Sequence, residues 1–535
     1  MRERGSVIGQ LLRRGARRWD PNTDRSAERV SKPALTFLLA GIVVNLYFFC
    51  HWRYQPMMDL PNHIAVARCV SEWGSSDSMY TDLFDRPDLL SANTLIYSVT
   101  AVLGKVIGLF SAMRFLVASL YIVGFPLAAL YVLRVFGRSA WGAVLSNALV
   151  FSRFYEAGFV NELVGFPIAL VMLAQFYLLL RKATVRRAIF LGLGWSVLFL
   201  IHAFVFLWLG AVLACMSIVA LPVLMRRGSR RLGATALAVV LSVLPSLVLL
   251  VRWIARGGSH FGLGGKSGSI GAALDANEAF RRIQGYVTVS HSIQDGELLV
   301  WLLLLLGLSV ALARLERRPS PPILEMVCVA TFISYFFLPF SLGAEGVVAA
   351  RQLRHAMWLA FAFATPVSRR TSRTARWAVI TGILVYSYAQ GATWYRLIAE
   401  WERTEAAGLA TVLEAAPPGL RILYPALKLE SSYFEGKPLW HVDGYYMGAG
   451  GGLMRDVPGA KDPAWWLHYK PDRRGLPYLS GLDTPDWSRV SGLWDSYDLV
   501  LVHDWNPSPE ALRAANASAT QVVRSGAWEL WRKKP

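Results

Sequence analysis

The feature that most constrains this chain is a series of eleven apolar runs, each long enough to cross a lipid bilayer. They begin near Pro33, Met113, Trp141, Leu163, Ala188, Val205, Leu232, Leu298, Pro322, Val347 and Trp377. About twenty residues at about 1.5 Å each match the hydrocarbon thickness, and in that layer a backbone must satisfy its own polar groups, which a helix does. The apolar stretch over 188–225 is too long for one crossing and should break near His202. A chain that is 54% apolar and only 17% charged has no soluble globular solution at this length. The expected fold is therefore mainly α: a polytopic transmembrane helical bundle of about eleven spans.

The formal net charge of +19 would raise nucleic acid as a partner if it lay on one surface. Instead Lys and Arg fall in short clusters between apolar runs, at 134–138, 181–187, 226–231, 314–318 and 369–376, and in a basic tail over 1–32 with nine basic and four acidic residues. This is the pattern of cytoplasmic loops under the positive-inside rule. No nucleic-acid partner is expected. The tail lacks the form of a cleaved signal peptide, so the first run is expected to be a retained anchor.

Parity then decides the segment 93–110, which hydropathy alone would count as a further span. Counting it would move every later basic cluster outside while the basic tail stays inside. Left out, it becomes a juxtamembrane helix on the outer surface, a place its Lys105, Asn93, Thr94, Ser98 and Thr100 favour over full burial.

The expected organisation is thus a cytoplasmic tail over 1–32, a transmembrane module over 33–396 with outer loop 1 at 53–112, and an extracytoplasmic α/β domain over 397–535. In that last region a helical stretch over 397–416 ends at Pro417 and Pro418. Strands are expected over 420–424, 499–502, 521–524 and 528–531, and a helix over 508–516. Cys50 and Cys69 flank the first loop and can pair if it faces an oxidising compartment. The four cysteines show no zinc-ligand spacing.

The residues suited to chemistry collect on the expected outer face. Just after the first run comes Gln55-Pro-Met-Met-Asp59-Leu-Pro61-Asn-His63, in which Pro61 suits a first helical turn. Asp59 and His63 at i and i+4 share a helix face, fit for a general base or for a divalent-cation site. The bland alternative has Asp59 capping the helix and His63 packing at the lipid interface. A second outer turn holds Tyr155, Glu156, Asn161 and Glu162, beside Arg153, which at helical spacing suits a simple ion pair with Glu156. His202 lies at the outer junction of two runs. Arg351 and Arg354, next to His355, and Lys266 in the loop before the eighth run suit a lipid phosphate, against the alternative of snorkelling to headgroups.

The motif Asp59-Leu-Pro-Asn-His63, the stretch 87–93, Gly158-Phe-Val-Asn161 and Ile201-His202 resemble the GT-C superfamily of polytopic glycosyltransferases, which includes protein O-mannosyltransferases and lipid A aminoarabinose transferases. The resemblance covers roughly the first two-thirds of the chain. It implies a bacterial inner-membrane enzyme with a cytoplasmic N-terminus that makes an inverting transfer of a sugar from a polyprenyl-phosphate donor to an acceptor at the outer membrane face. It further implies a membrane-lipid environment and an acidic base in the first loop, here Asp59. His63 and Glu156 would orient the base or bind a cation, Tyr155, Asn161 and Glu162 would contact substrate, and Arg351, Arg354, His202 and Lys266 would hold the donor phosphate. Many members carry two adjacent acids in the first loop, whereas Leu60 follows Asp59 here, so a second acid must come from Glu156 or Glu162. Two other classes remain at this stage: a transporter or lipid flippase, and a non-catalytic scaffold whose C-terminal domain binds a partner.

Overall fold

The computed structural model describes residues 31–258, 307, 323–337, 355–362 and 373–535, less 77, 227, 357, 426–429, 435–436, 456, 458–465, 472, 474–493 and 495. The basic tail over 1–30, the run at Leu298, the start of the run at Val347, and Lys266, Arg351 and Arg354 lie outside the described residues.

Helix α1 (Lys32–His51) starts where the Ser31 hydroxyl accepts the Ala34 amide and Pro33 occupies the first turn, a preformed helix start. There follow α2 (Leu60–Glu72), α3 (Leu95–Ile107), α4 (Leu109–Val135), α5 (Trp141–Ala148), α6 (Val160–Arg181), α7 (Val185–Ile201), α8 (Ala203–Arg226), α9 (Ser229–Trp253), α10 (Ile323–Phe337) and α11 (Arg373–Thr404). Five of these, α1, α4, α6, α8 and α9 with its short continuation, are long and apolar enough to cross a membrane. Ion pairs fix the relative direction of α9 and α10. Asp88 of the first loop meets Arg252 and Arg256, at and just beyond the end of α9, at 2.7 and 2.9 Å. Arg138, just after α4, meets Glu325 in the first turn of α10 at 2.9 Å. The end of α9 therefore sits with the first loop, and the start of α10 sits with the far end of α4.

Helix α3 has thirteen residues, about 20 Å of rise, too little to cross. It ends at Gly108, whose φ of +80° turns the chain back into α4 with Leu109 lodged against Gly104. Ile96, Tyr97, Thr100 and Ala101 are buried, while Val102 and Val106 stay 67% and 85% exposed, an apolar face suited to lie on lipid.

The run beginning at Trp141 departs from the expectation of one continuous helix. Its helix, α5, has eight residues, about 12 Å. The segment still climbs alongside α1: Trp141 meets Phe37 at 5.8 Å, Asn147 exchanges amide bonds with Leu38 and Asn45, and Tyr155 meets Phe49. Over 149–152 the helix is interrupted before a short turn at Arg153–Ala157, and a backbone at that depth persists only where protein satisfies it. Asn45 supplies a donor to the Asn147 carbonyl, and the Tyr121 hydroxyl, from a π-helical turn over Val117–Val123 in α4, donates to the Val150 carbonyl.

The break near His202 is present. The backbone of His202 is extended, and its Nδ1 accepts the Val205 amide at 3.2 Å, capping α8 with a side chain. Beyond α11 the chain turns at Gly408 into α12 (Leu409–Glu414), so the expected helix over 397–416 is two pieces. Gly408, at φ +90°, passes the Ser525 carbonyl so closely that an added Cβ would sit 2.1 Å from it. A five-stranded sheet follows in the order β2-β1-β3-β5-β4, built of β1 (Arg421–Leu423), β2 (Leu453–Met454), β3 (Leu499–His503), β4 (Ala519–Ser525) and β5 (Trp528–Lys533). β1 runs parallel to β2 and β3, and β5 is antiparallel to β3 and β4. Helix α13 (Asp443–Gly450) and strand β2 carry no periodic signal in sequence, whereas α14 (Pro509–Ser518) begins at Ser508 as expected. All four cysteines are free, so the Cys50–Cys69 pairing is not made.

Candidate active site

The head of α2 is laid against the turn that precedes α6. The amides of Met58 and Asp59 donate to the carbonyls of Glu156 and Ala157 at 2.8 and 3.3 Å. Gly158 follows with φ +73°, and a Cβ there would stand 2.7 Å from the Asp59 nitrogen. Only glycine permits both that backbone and that approach. Asp59 occupies the N-cap position, yet its side chain makes no capping bond, and its backbone is in the right-handed helical region instead of the extended one a capping side chain uses. The capping alternative for Asp59 is thereby set aside. Its carboxylate is 23% exposed and lies 3.6 Å from the Nε2 of His441.

His63 turns the other way. Its Nδ1 is 2.8 Å from the Tyr97 hydroxyl, the two rings stack at 5.6 Å, and the imidazole also bonds the Gly158 carbonyl. Burial pushes its pKa down to about 4, against that carbonyl bond, so the ring is neutral at physiological pH. Asn161 lies beside Tyr97 in turn and donates to the Asn93 carbonyl at 3.3 Å, and the Asn93 side chain accepts the Ala203 amide at 3.0 Å. Asn93 holds φ at +65°, a conformation asparagine tolerates better than most residues. One polar chain therefore ties α2, α3, α6 and the α7–α8 junction together around Asp59.

The remaining expected residues take varied places. Glu156 is 5% exposed, and its carbonyl supports Met58; the side chain of Arg153 lies outside the described residues. Tyr155 is fully enclosed among Phe49, Phe151 and Trp394, with its hydroxyl donating to Gln55. Glu162 is fully buried 3.0 Å from His355, which is boxed by Phe166, Phe204, Trp208 and Trp358. His202 serves as the α8 cap, 8% exposed. Asp59, His63, Asn161 and His202 are thus brought into one neighbourhood, with Tyr155 and Glu162 in the packed shell beneath. Among the described residues no three His, Cys, Asp or Glu side chains converge as a metal-holding group, so Asp59, His63 and Glu156 form no such cluster.

Sequence reasoning missed His441, Tyr97 and Gln55. Tyr97 is legible in principle as the buried-face residue of an amphipathic α3. His441 precedes α13, which lies across α2 with Gly444 on the Pro61 carbonyl and Gly448 on Ile64, where added Cβ atoms would sit at 2.5 and 2.3 Å. Gly444 and Gly448 at i and i+4 form a small-xxx-small face, the one local signal that this helix packs backbone to backbone.

No protein-family model matches the sequence, and no curated protein matches it. Among solved structures the chain is similar to the crystal structure of ArnT from Cupriavidus metallidurans in the apo state, with a TM-score of 0.52 and 15% identity over 93% of this chain and 97% of that one. It is more loosely similar to the cryo-EM structure of the arabinofuranosyltransferase AftD from Mycobacteria, with a TM-score of 0.48 and 12% identity over 95% of this chain and 40% of that chain. At such identities likeness to ArnT speaks for the fold alone, and with its apolar helices the chain is an integral membrane protein with an ArnT-like fold.

Proposed function

We propose that the chain is a membrane glycosyltransferase that moves a sugar from a polyprenyl-phosphate donor to an acceptor hydroxyl at the outer membrane face, with Asp59 as general base. In that reaction the Asp59 carboxylate takes the hydroxyl proton while the acceptor oxygen attacks the anomeric carbon. The bond from that carbon to the phosphate oxygen breaks, and the electron pair leaves with the lipid phosphate. The reading includes the eleven-span topology with a cytoplasmic N-terminus and assigns the leaving phosphate to Arg351, Arg354 and Lys266, where low dielectric makes a positive charge count for more than in water.

One observation carries the reading: in an ArnT-like fold spanning 93% of the chain, a partly exposed carboxylate released from helix capping heads the first surface helix after the first span. The backbone bonds to Glu156 and Ala157 and the close approach of Gly158 hold Met58 and Asp59 in place, and the carboxylate stays 23% exposed. Transfer from radiolabelled polyprenyl-phosphate sugars by purified Asp59→Asn protein tests it. The expected loss is on the order of a thousandfold in kcat, in the range of one positioned base; undiminished transfer would exclude Asp59 from that role.

A further inference from the structure

We propose that His441, contributed by the C-terminal region, is the positioning residue for the Asp59 carboxylate, so that this region completes the transfer site. The inference rests on the reading of Asp59 as the base. Four observations support it. The His441 Nε2 stands 3.6 Å from Asp59 Oδ1, longer than a hydrogen bond yet within reach of one after a small closure, as is common before substrate binds. The imidazole is held from behind by Trp440, whose ring lies 5.5 Å away and 9° from parallel, and the Lys437 ammonium sits 5.6 Å over that indole. The helix that follows is locked to α2 through Gly444 and Gly448, so the spacing between His441 and Asp59 is fixed by backbone contact and not by a mobile loop. Finally, burial, the Arg455 guanidinium and His63 push the His441 pKa down to about 3.

At neutral pH the ring is therefore uncharged and meets Asp59 as an N–H donor. A neutral donor orients a carboxylate without forming an ion pair that would quench its basicity. The charged and titratable groups around the pair are His63 on α2, Tyr97 on α3 bonded to it, and the buried Arg455 and Asp443 on the C-terminal side.

The test compares His441→Gln, which keeps an N–H donor, with His441→Leu, which keeps bulk alone, in full-length purified protein. Loss of a hydrogen bond to a charged group predicts a fall in kcat of about tenfold for the leucine variant with KM unchanged, and substantial recovery for glutamine. Equal activities for the two variants, whether normal or lost, would overturn the proposal, because packing alone does not distinguish them. A second readout needs no donor sugar. A water-soluble carbodiimide attacks the protonated carboxyl, so mass spectrometry should show Asp59 modified several-fold faster in His441→Leu than in His441→Gln or the parent. A labelling contrast in a protein that transfers no sugar would sink the transferase reading and keep the pairing; identical labelling in all three would sink the pairing.

Discussion

Helix α2 is gripped on two sides, and the two grips differ in kind. On the bundle side, the carbonyls of Glu156 and Ala157 and the glycine turn at Gly158 hold the backbone of Met58 and Asp59. On the C-terminal side, α13 presses two glycines onto the flank of α2, and His441 just before it stands 3.6 Å from the carboxylate. The bundle sets where the Asp59 backbone sits, and the C-terminal region sets what its carboxylate meets. Each grip can be broken without touching the other, and the expected costs are unequal.

Gly158→Val should be the most damaging change. Its Cβ would meet the Asp59 nitrogen at 2.7 Å and the Met57 carbonyl carbon at 3.1 Å, both rigid backbone, at a φ of +73° that a β-branched residue resists. A loss of about 3 kcal/mol or more follows from strain plus overpacking. Thermal unfolding in detergent measures it, and an unaltered midpoint would mean that the backbone grip is not what seats Asp59.

On the other side the two glycines should rank by what they touch. Gly444→Ala meets the backbone carbonyl of Pro61, whereas Gly448→Ala meets the Cγ2 methyl of Ile64, a side-chain atom that yields only if its stiff χ1 shifts. About 2 kcal/mol is expected for the first and about 1 for the second, within the overpacking range. Proteolytic susceptibility of the segment around α13 reads the loosening locally. The reverse ranking would show that α13 is seated by something other than these glycines.

Legibility in the sequence divides along the same line. Among the described residues the five long apolar helices, the break at His202 and the strands over 499–503 and 528–533 follow from local pattern, and the structure has them. Asp59 was visible because Pro61 marks a helix start beside it. The upper part of the Trp141 run was not, since hydropathy counts apolar residues and says nothing of backbone shape, and the groups that satisfy that backbone, Asn45 and Tyr121, lie far away in sequence. His441 was invisible for the same reason. Its role depends on docking between distant segments, of which the glycine spacing over 444–448 is the sole local trace.

Acid should loosen the Asp59 neighbourhood. His63 is neutral when folded, its pKa pushed down to about 4, and ordinary at 6.5 when unfolded. The unfolded chain therefore binds the extra proton between those values, so stability is whole above 6.5 and falls as pH drops toward 4. The ceiling is about 1.4 kcal/mol per pH unit, and partial exposure of the ring brings the expected loss to about 1 kcal/mol between pH 6.5 and 5. His63→Gln should flatten the midpoint-against-pH curve over that window. A slope identical to the parent's would place the acid sensitivity elsewhere.

The smallest expected effect isolates the polar chain that joins the bundle grip to the rest of the site. Tyr97→Phe keeps the ring stacked on His63 and removes the hydroxyl that bonds His63 Nδ1 at 2.8 Å and meets Asn161. Losing one hydrogen bond between neutral groups should cost about 1 kcal/mol or less, with the fold intact. The informative readout is which grip responds. Because Tyr97 acts through His63 and Gly158, the amide of Asp59 should exchange hydrogen faster in Tyr97→Phe, while the amides of α13 keep the parent's protection. Faster exchange across α13 as well would mean that the two grips on α2 are one cooperative unit, and the division drawn between them would fail.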